Sequence, residues 1–561
     1  MFDAIVVGSG MSGGWAAKEL CERGLKTLVI ERGGHVEHGA DYLDAQAPWE
    51  LENFGMVPEE EAAEHYAVQA RCYAFSTANK QFWVKDSEHP YTVAEGKPFW
   101  WIRGYHLGGR SIMWGRQSYR MSALDFESNA KDGHGSDWPI RYEDLVPWYD
   151  HVETFAGISG SKEGLPQLPD GQFLPPMAMT DPEKDFKARL EAAYPTRRLI
   201  IGRCAHLTES KPHHQELGRA PCQYRSICER GCSYGAYFSS LSATLPAARN
   251  TGNLTVVTDS IVHSVIYDPQ SGKASGVRAI DAKTNEGRTY EASVVFLCAS
   301  TIPTAQILLN SKSEEFPNGL ANRSDAVGRY LMDHVSGMGA SGTYQGFADK
   351  YHSGRRPNGF YVPRYRNVTE PAEGFTRGFG FQGGVTREGW RRGSWQTGVG
   401  ADFKAGLRAP GPWRINLGGF GEMMPRPENR VTLHPTRTDK WGMPLVHIDC
   451  GLGDSERRMI EQANADAKEM LEMAGCADIS VRRHSGSLGL GIHEMGTAHM
   501  GKDPATSVLN QYNQAHDVPN LFITDGACMA SGGCQNPSLT YMAMSARGAY
   551  FAVEFLKDGK I

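Results

Sequence analysis

No stretch of this 561-residue chain stays apolar for the roughly 18 residues that a membrane-crossing helix needs. VVFLCAS, residues 294–300, is far shorter and reads as a buried strand. A basic surplus is missing too. The formal net charge is −6, which counts against nucleic acid as a partner. The chain lacks internal repeats and low-complexity tracts. No basic n-region or apolar h-region follows Met1, so no signal peptide is expected and cytoplasmic residence is the first inference. The 11 cysteines are odd in number and irregular in spacing, which counts against a disulfide framework. With 40% hydrophobic and 22% charged residues, what remains is a globular protein with a sizeable core. Its length predicts two large domains or one enlarged domain.

The amino terminus, FDAIVVGSGMSGGWAAKELCERGLKTLVIERGG, reads as strand, tight turn, helix and strand. AIVV is a short β-branched run suited to a strand covered on both faces. Gly8, Gly10 and Gly13 give G-x-G-x-x-G directly after it. Gly8 permits the sharp turn, Gly10 lets the backbone approach a pyrophosphate, and Gly13 lets helix and strand pack closely. The helix amino terminus then faces the phosphates. Glu31 ends the second strand, where an acid binds ribose hydroxyls and disfavours a 2′-phosphate. A dinucleotide site is expected; the alternative is a glycine-rich turn in an empty βαβ unit.

Further along, residues 40–98 are polar and irregular, and 160–220 read as long connections. NLTVVTDSIVHSVIYD through VVFLCAS reads as a β-meander returning to a core strand, and TIPTAQILLNS as a helix. GFGFQGGV, RVTLHP and PLVHIDC suggest one antiparallel sheet, followed by the amphipathic helix SERRMIEQANADAKEMLEMAG. Glycine-rich signals at both ends with sheet-like sequence between predict an α/β fold. It is a discontinuous Rossmann-like nucleotide domain (1–150, 240–335 and 486–561) carrying an inserted α+β substrate domain on an antiparallel sheet (336–485). Residues 151–239 connect them.

GSGMSGG with Glu31, GGRSIMW, ASTIPTAQILLNS, VGRYLMDH, PRPENRVTL, HEMGTAHMG and DGA with NPSLT follow one another along most of the chain. In that order they resemble the glucose–methanol–choline family of FAD oxidoreductases. The resemblance implies that His493 takes the proton of a substrate hydroxyl while the carbon-bound hydrogen leaves as hydride to flavin N5. It places Asn536 beside it as the orienting partner. It also implies FAD contacts from Gly8, Gly10, Gly13, Glu31, Gly108, Gly109, Ser111, Met113, Trp114, Val262, Asp525, Gly526, Asn536 and Ser538. Relatives that bind FAD covalently carry a histidine where this chain has Met113, so non-covalent FAD is expected. His499 is read as structural, and Cys528 and Cys534 as small residues of a tight turn. Trp100, Trp101 and Trp390 are read first as core, with sugar stacking as the alternative.

PCQYRSICERGCSYG concentrates three cysteines, Cys222, Cys228 and Cys232, at C-x5-C-x3-C. This spacing resembles that of the catalytic subunits of bacterial FAD-dependent glucose and fructose dehydrogenases. The resemblance implies a [3Fe-4S] cluster, thiolates being the natural ligands. The alternatives are buried small side chains, zinc completed by His213 or His214, and a four-iron site completed by Cys204. The implied activity is an FAD-dependent sugar dehydrogenase, with C3 of a glucoside favoured over glucose C1, fructose C5 or gluconate C2. A dioxygen-using oxidase and a non-catalytic flavoprotein subunit are the competing readings. The same resemblance implies a small partner subunit bearing a twin-arginine signal, a cytochrome c or other electron acceptor, and the periplasm.

Overall fold

The computed structural model describes residues 1–47, 49–352, 359–484 and 486–561. Position 485, the last of the expected substrate domain, lies outside the described residues. The apolar run at the amino terminus becomes the strand Phe2–Val7, and the nucleotide half is built outward from it. Ala4, Ile5 and Val6 have no exposed surface, as a parallel strand covered on both faces requires. Thr27–Ile30 and the second half of Gly287–Leu297 flank it, both parallel. Leu254–Val257 and Leu521–Ile523 pair outside these. Gly287–Leu297 belongs to two arrangements. Residues 287–291 pair antiparallel with Lys273–Asp281, itself paired with Ser260–Asp268, and the remainder joins the parallel sheet. The helices Met11–Glu22 and Ser538–Lys557 pack together beside this sheet.

The second layer is a six-stranded antiparallel sheet. Its order is Ala477–Val481, Val335–Tyr344, Trp413–Gly421, Phe379–Arg387, Phe360–Val362 and Ile200–Ile201. The helix Asp454–Met473 covers one face, burying Met459, Ala463, Ala467, Met470 and Leu471. Gln382, Gly384, Asn416, Gly418 and Phe420 are spaced by two on adjacent strands and turn to the opposite face, which borders a large cavity.

Two expectations need correction. RVTLHP and PLVHIDC are strands, Arg430–Thr438 and Pro444–Asp449, but they pair with each other and with Thr92–Val93 in a separate three-stranded sheet. Strand character is local, whereas the partner is set by the long-range path. Residues 160–220 are more than connection. Thr180 opens the helix Asp181–Ala193 with a capping box: Glu183 accepts the Thr180 N–H at 2.8 Å and its own N–H reaches the Thr180 hydroxyl at 3.4 Å. The T-D-P-E signature with proline in the first turn was present in the sequence. Ile200–Ile201 then closes the edge of the second sheet.

The first helix meets the first strand at Gly13. A β-carbon there would lie 1.9 Å from the Gly8 carbonyl oxygen. That oxygen is backbone and does not yield cheaply. Gly13→Ala is expected to lose on the order of 3 kcal/mol of stability or more, seen as a lower urea midpoint. A parental midpoint would contradict this packing.

Candidate active site

A cavity of about 1130 Å³ runs between the parallel sheet and the six-stranded sheet. Gly8, Gly10, Glu31, Gly109, Ser111, Met113, Trp114, Val262, Asp525, Gly526, Asn536 and Ser538 line it. Gly13 and Gly108 do not; they act through packing, and a β-carbon on Gly108 would meet Leu241 at 2.7 Å. At Gly10 the situation is reversed. An added β-carbon would have only the Gly108 carbonyl oxygen near it, 4.0 Å away. The protein leaves that space open for something else. The helix starting at Met11 has no side-chain cap at Gly10 and no acid in its first turn, so its terminal N–H groups are available to an anion. Glu31 lies at the same end. Its carboxylate accepts from the Ser9 hydroxyl at 2.5 Å, the Ser9 N–H at 3.1 Å and the Gly33 N–H at 3.0 Å. Asp525 accepts from the Thr304 hydroxyl at 2.6 Å and the Ala527 N–H at 2.9 Å, and burial pushes its pKa up to about 6. These residues fit the diphosphate and ribose of a dinucleotide.

At the other end of the cavity a directional hydrogen-bond chain sets the state of His493. His334 Nε2 lies 2.8 Å from the Gly533 carbonyl, which can only accept. His334 Nε2 therefore carries the proton. Burial holds this ring neutral, its pKa pushed down to about 4, so Nδ1 is a lone pair. His493 Nδ1 lies 2.9 Å from it and must donate. The lone pair of His493 is thus fixed on Nε2, where the Asn536 amide donates at 3.2 Å. Gln382 donates in turn to the Asn536 carbonyl oxygen at 2.5 Å. Burial, with the neighbouring His334 and Arg110, pushes the His493 pKa well below the ordinary histidine value. The site therefore presents a neutral base with its accepting nitrogen turned to the amide that would share a substrate hydroxyl.

The loop carrying His493 is held by Asp333. One of its carboxylate oxygens accepts the N–H groups of His334 at 2.8 Å and His493 at 3.0 Å; the other accepts those of Gly489 at 2.9 Å and Gly491 at 3.0 Å. Burial, helped by Glu494, pushes the Asp333 pKa up to about 7 despite these four donors. Glu494 pairs with Arg110 at 3.0 Å through one oxygen, while the other, though buried, has no partner among the described residues. Asp333, His334 and Gln382 had no role assigned from sequence. VGRYLMDH held the first two, but nothing local signalled that they reach His493.

His499 is buried, bonds Ser136 and the Thr506 carbonyl, and does not line the cavity. Cys528 and Cys534 are buried, as is Trp101 at the cavity wall. Trp390 corrects the core reading: it is 63% exposed.

The three-cysteine segment forms a loop against the same cavity, with Ser226 and Glu229 in its lining. Tyr224, Ser226 and Gly231 take positive φ angles of 54°, 58° and 91°, so the chain curls tightly between the thiols. Asp44 clamps it, accepting from Arg225 at 2.5 Å and from the Ser233 hydroxyl at 2.8 Å. Among the described residues no three ligating side chains converge on one point, as zinc requires. His213 and His214 are engaged elsewhere, with the Thr154 carbonyl and the Lys211 N–H. In an iron–sulfur cluster each thiolate holds a different iron, so the sulfurs need not meet at one point. The donor set and the curled loop fit that group. Cys204 lies beside His206, whose other ring nitrogen is 4.0 Å from Cys228 Sγ.

A fold with a dinucleotide cradle at one end of a cavity between its two largest sheets and a half-buried neutral base at the other defines a dinucleotide-dependent oxidoreductase. Residues 2–336 and 425–545 match the amino- and carboxy-terminal models described as GMC oxidoreductase, and the chain belongs to that family. It is an FAD-dependent enzyme that oxidises alcohol or sugar CH–OH groups. It is 28% identical over 592 residues to 2-methyl-1,2-propanediol dehydrogenase of Mycolicibacterium austroafricanum, covering 99% of this chain and 95% of the relative. It is 24% identical over 570 residues to the fructose dehydrogenase large subunit of Gluconobacter japonicus, covering 99% and 98%. The crystal structure of pyridoxine 4-oxidase from Mesorbium loti superposes with a TM-score of 0.62 at 15% identity, covering 98% of this chain and 99% of that one, a likeness of fold alone.

Because the Gly10 β-carbon would enter the cavity and not the protein, Gly10→Ala is expected to fold with a parental melting midpoint yet purify with at least tenfold less bound FAD. Flavin absorbance per protein gives the readout. Parental flavin content would remove Gly10 from the cradle.

Proposed function

We propose that the enzyme is a dehydrogenase that oxidises a secondary hydroxyl of a sugar or glycoside, with C3 of a glucoside as the favoured position. The observation that carries this reading is the tautomer chain that leaves the His493 Nε2 lone pair beside Asn536. The substrate hydroxyl sits between them, donating to Nε2 and accepting from the Asn536 amide. Bound FAD, held without a covalent link past Met113, supplies the hydride acceptor. As the C–H bond gives up its hydride, His493 takes the hydroxyl proton and the carbon–oxygen double bond forms. Asn536, pinned by Gln382, keeps the oxygen in place.

The sheet beside this pair supports a ring bearing several hydroxyls. Across the strand pair, Gln382 faces Gly418 and Asn416 faces Gly384. Two bare positions thus alternate with two carboxamides, each able to donate and accept. A pyranose can lie flat on the glycines while the amides bond adjacent hydroxyls.

In the same reading Cys222, Cys228 and Cys232 hold a [3Fe-4S] cluster, and such a group supplies one-electron transfer when bound. The curled loop at the cavity wall supports it. A relative named as a large subunit supports a multi-subunit assembly. The proposal also carries a small subunit with a twin-arginine signal, a cytochrome c-type acceptor and a periplasmic site of action.

Iron and acid-labile sulfide per FAD on anaerobically purified protein, with EPR as isolated, test the electron path. Roughly three irons per flavin are expected. Full flavin without iron sinks the cluster, and peroxide formation in air would then favour an oxidase. His493→Gln should retain FAD but slow its reduction by sugar by ~10²–10⁴-fold, measured by stopped-flow bleaching. The base works when neutral, that is, above its pKa. Since burial lowers that pKa, the parental rate should stay flat through pH 6.5 and fall only in more acid solution. An acid limb centred at 6.5 would contradict the buried-base assignment.

A further inference from the structure

The half of the cavity bordered by the six-stranded sheet carries cations without matching acids. Arg387, Arg482 and Arg483 line it. Glu183 stands on the same side, and its two carboxylate oxygens accept the Thr180 N–H at 2.8 Å and the Val385 N–H at 3.2 Å. The other acids of the lining serve the cofactor cradle, the base and the cysteine loop. Arg482 is built in firmly. It follows the edge strand Ala477–Val481, its N–H donates to the Gly339 carbonyl at 2.9 Å, and its carbonyl accepts from the Asn464 amide at 3.2 Å. Partial burial lowers the pKa of its guanidinium, and no carboxylate raises it again.

The side chain reaches the cavity face of the sheet. Both terminal nitrogens lie 3.7 Å from where a β-carbon on Gly418 would stand, so the charge sits down at the level of the strands. Nη2 donates to Asn416 Oδ1 at 2.5 Å. A guanidinium can only donate, so this contact fixes the Asn416 carboxamide: its oxygen is taken, and Nδ2 keeps its N–H groups for a ligand. Gln382, the direct strand partner of Gly418, is fixed the opposite way. Its amide donates to Asn536, and Oε1 is left to accept. The row thus runs from His493 and Asn536, past an acceptor on Gln382, to a set of donors on Arg482 and Asn416. A hydroxyl needs a place to donate as well as to accept. Donors alone, one of them charged, suit an oxyanion.

We propose that the substrate is an acidic sugar, whose carboxylate or phosphate bonds Arg482 and the Asn416 amide while a ring hydroxyl is oxidised between His493 and Asn536. Gln382 and one strand spacing of ~4.8 Å separate the two ends. The oxyanion therefore sits across the ring from the reacting hydroxyl, not on the adjacent carbon. The inference rests on the sugar-oxidising reading above and adds what that sugar carries.

The test is anaerobic stopped-flow bleaching of the full-length, FAD-loaded enzyme by methyl glucoside, its 6-phosphate and methyl glucuronide. These share their secondary ring hydroxyls and differ in charge at C6. One of the two acidic sugars should reduce the flavin with a kcat/KM roughly 10–100-fold above that of the neutral glucoside. Which one does so separates phosphate from carboxylate. In Arg482→Gln the ratio of acidic to neutral sugar should collapse toward unity, chiefly through KM. Arg482→Lys keeps the charge but loses the fork, and its ratio should fall between. A parent that prefers the neutral glucoside, or treats all three alike, overturns the proposal and leaves sugar oxidation standing. So does a preference for the acidic sugar that survives unchanged in Arg482→Gln. Should Arg482→Gln fail to fold, an unchanged ratio in Arg482→Lys overturns it. Flavin reduced by none of the three overturns the sugar reading itself, and this inference with it.

Discussion

One buried carboxylate organises the reactive end of the cavity. Asp333 gathers four backbone N–H groups from two segments far apart in sequence, at 333–334 and 489–493. Left unpaired in this interior, each N–H would cost about 1–3 kcal/mol. The carboxylate therefore fixes the course of the His493 loop, and with it the angle at which His493 meets His334. Glycine serves the same end: a β-carbon on Gly491 would meet Asp333 Oδ1 at 2.5 Å. The position of the base is thus set by main-chain geometry, and its tautomer by the histidine behind it.

The nucleotide half was legible because its signals are local. The apolar strand, the three glycines, the helix and Glu31 lie within thirty residues, and each has its own steric or electrostatic reason. His493 and Asn536 were legible through family motifs, and the structure brings them within 3.2 Å. Gln382, Asp333 and His334 were not, because their roles depend on contacts spanning about 150 residues of chain. The misplaced hairpin at 430–449 has the same cause: alternation reveals a strand but not which sheet receives it. The helix at 181–193 was a different failure, since its capping box lay in plain view inside a proline-rich stretch.

The two sheets divide the work. The parallel sheet presents backbone amides and a helix terminus to a charged cofactor. The antiparallel sheet presents carboxamides and bare glycines to the same cavity from the other side. The cavity between them also touches the cysteine loop, through Ser226 and Glu229. Arg110 pairs with Glu494 at the cavity wall.

The hydrogen-bond chain behind His493 also has an end. It finishes at the Gly533 carbonyl, which has no site for another proton. His334 can therefore orient its neighbour but cannot conduct. A proton captured from substrate is stranded on the cavity side, and its exit must follow the route by which the substrate entered. In the mechanism proposed above, each turnover leaves His493 charged until the oxidised product moves away and water arrives. Product departure and the resetting of the enzyme thereby become a single event.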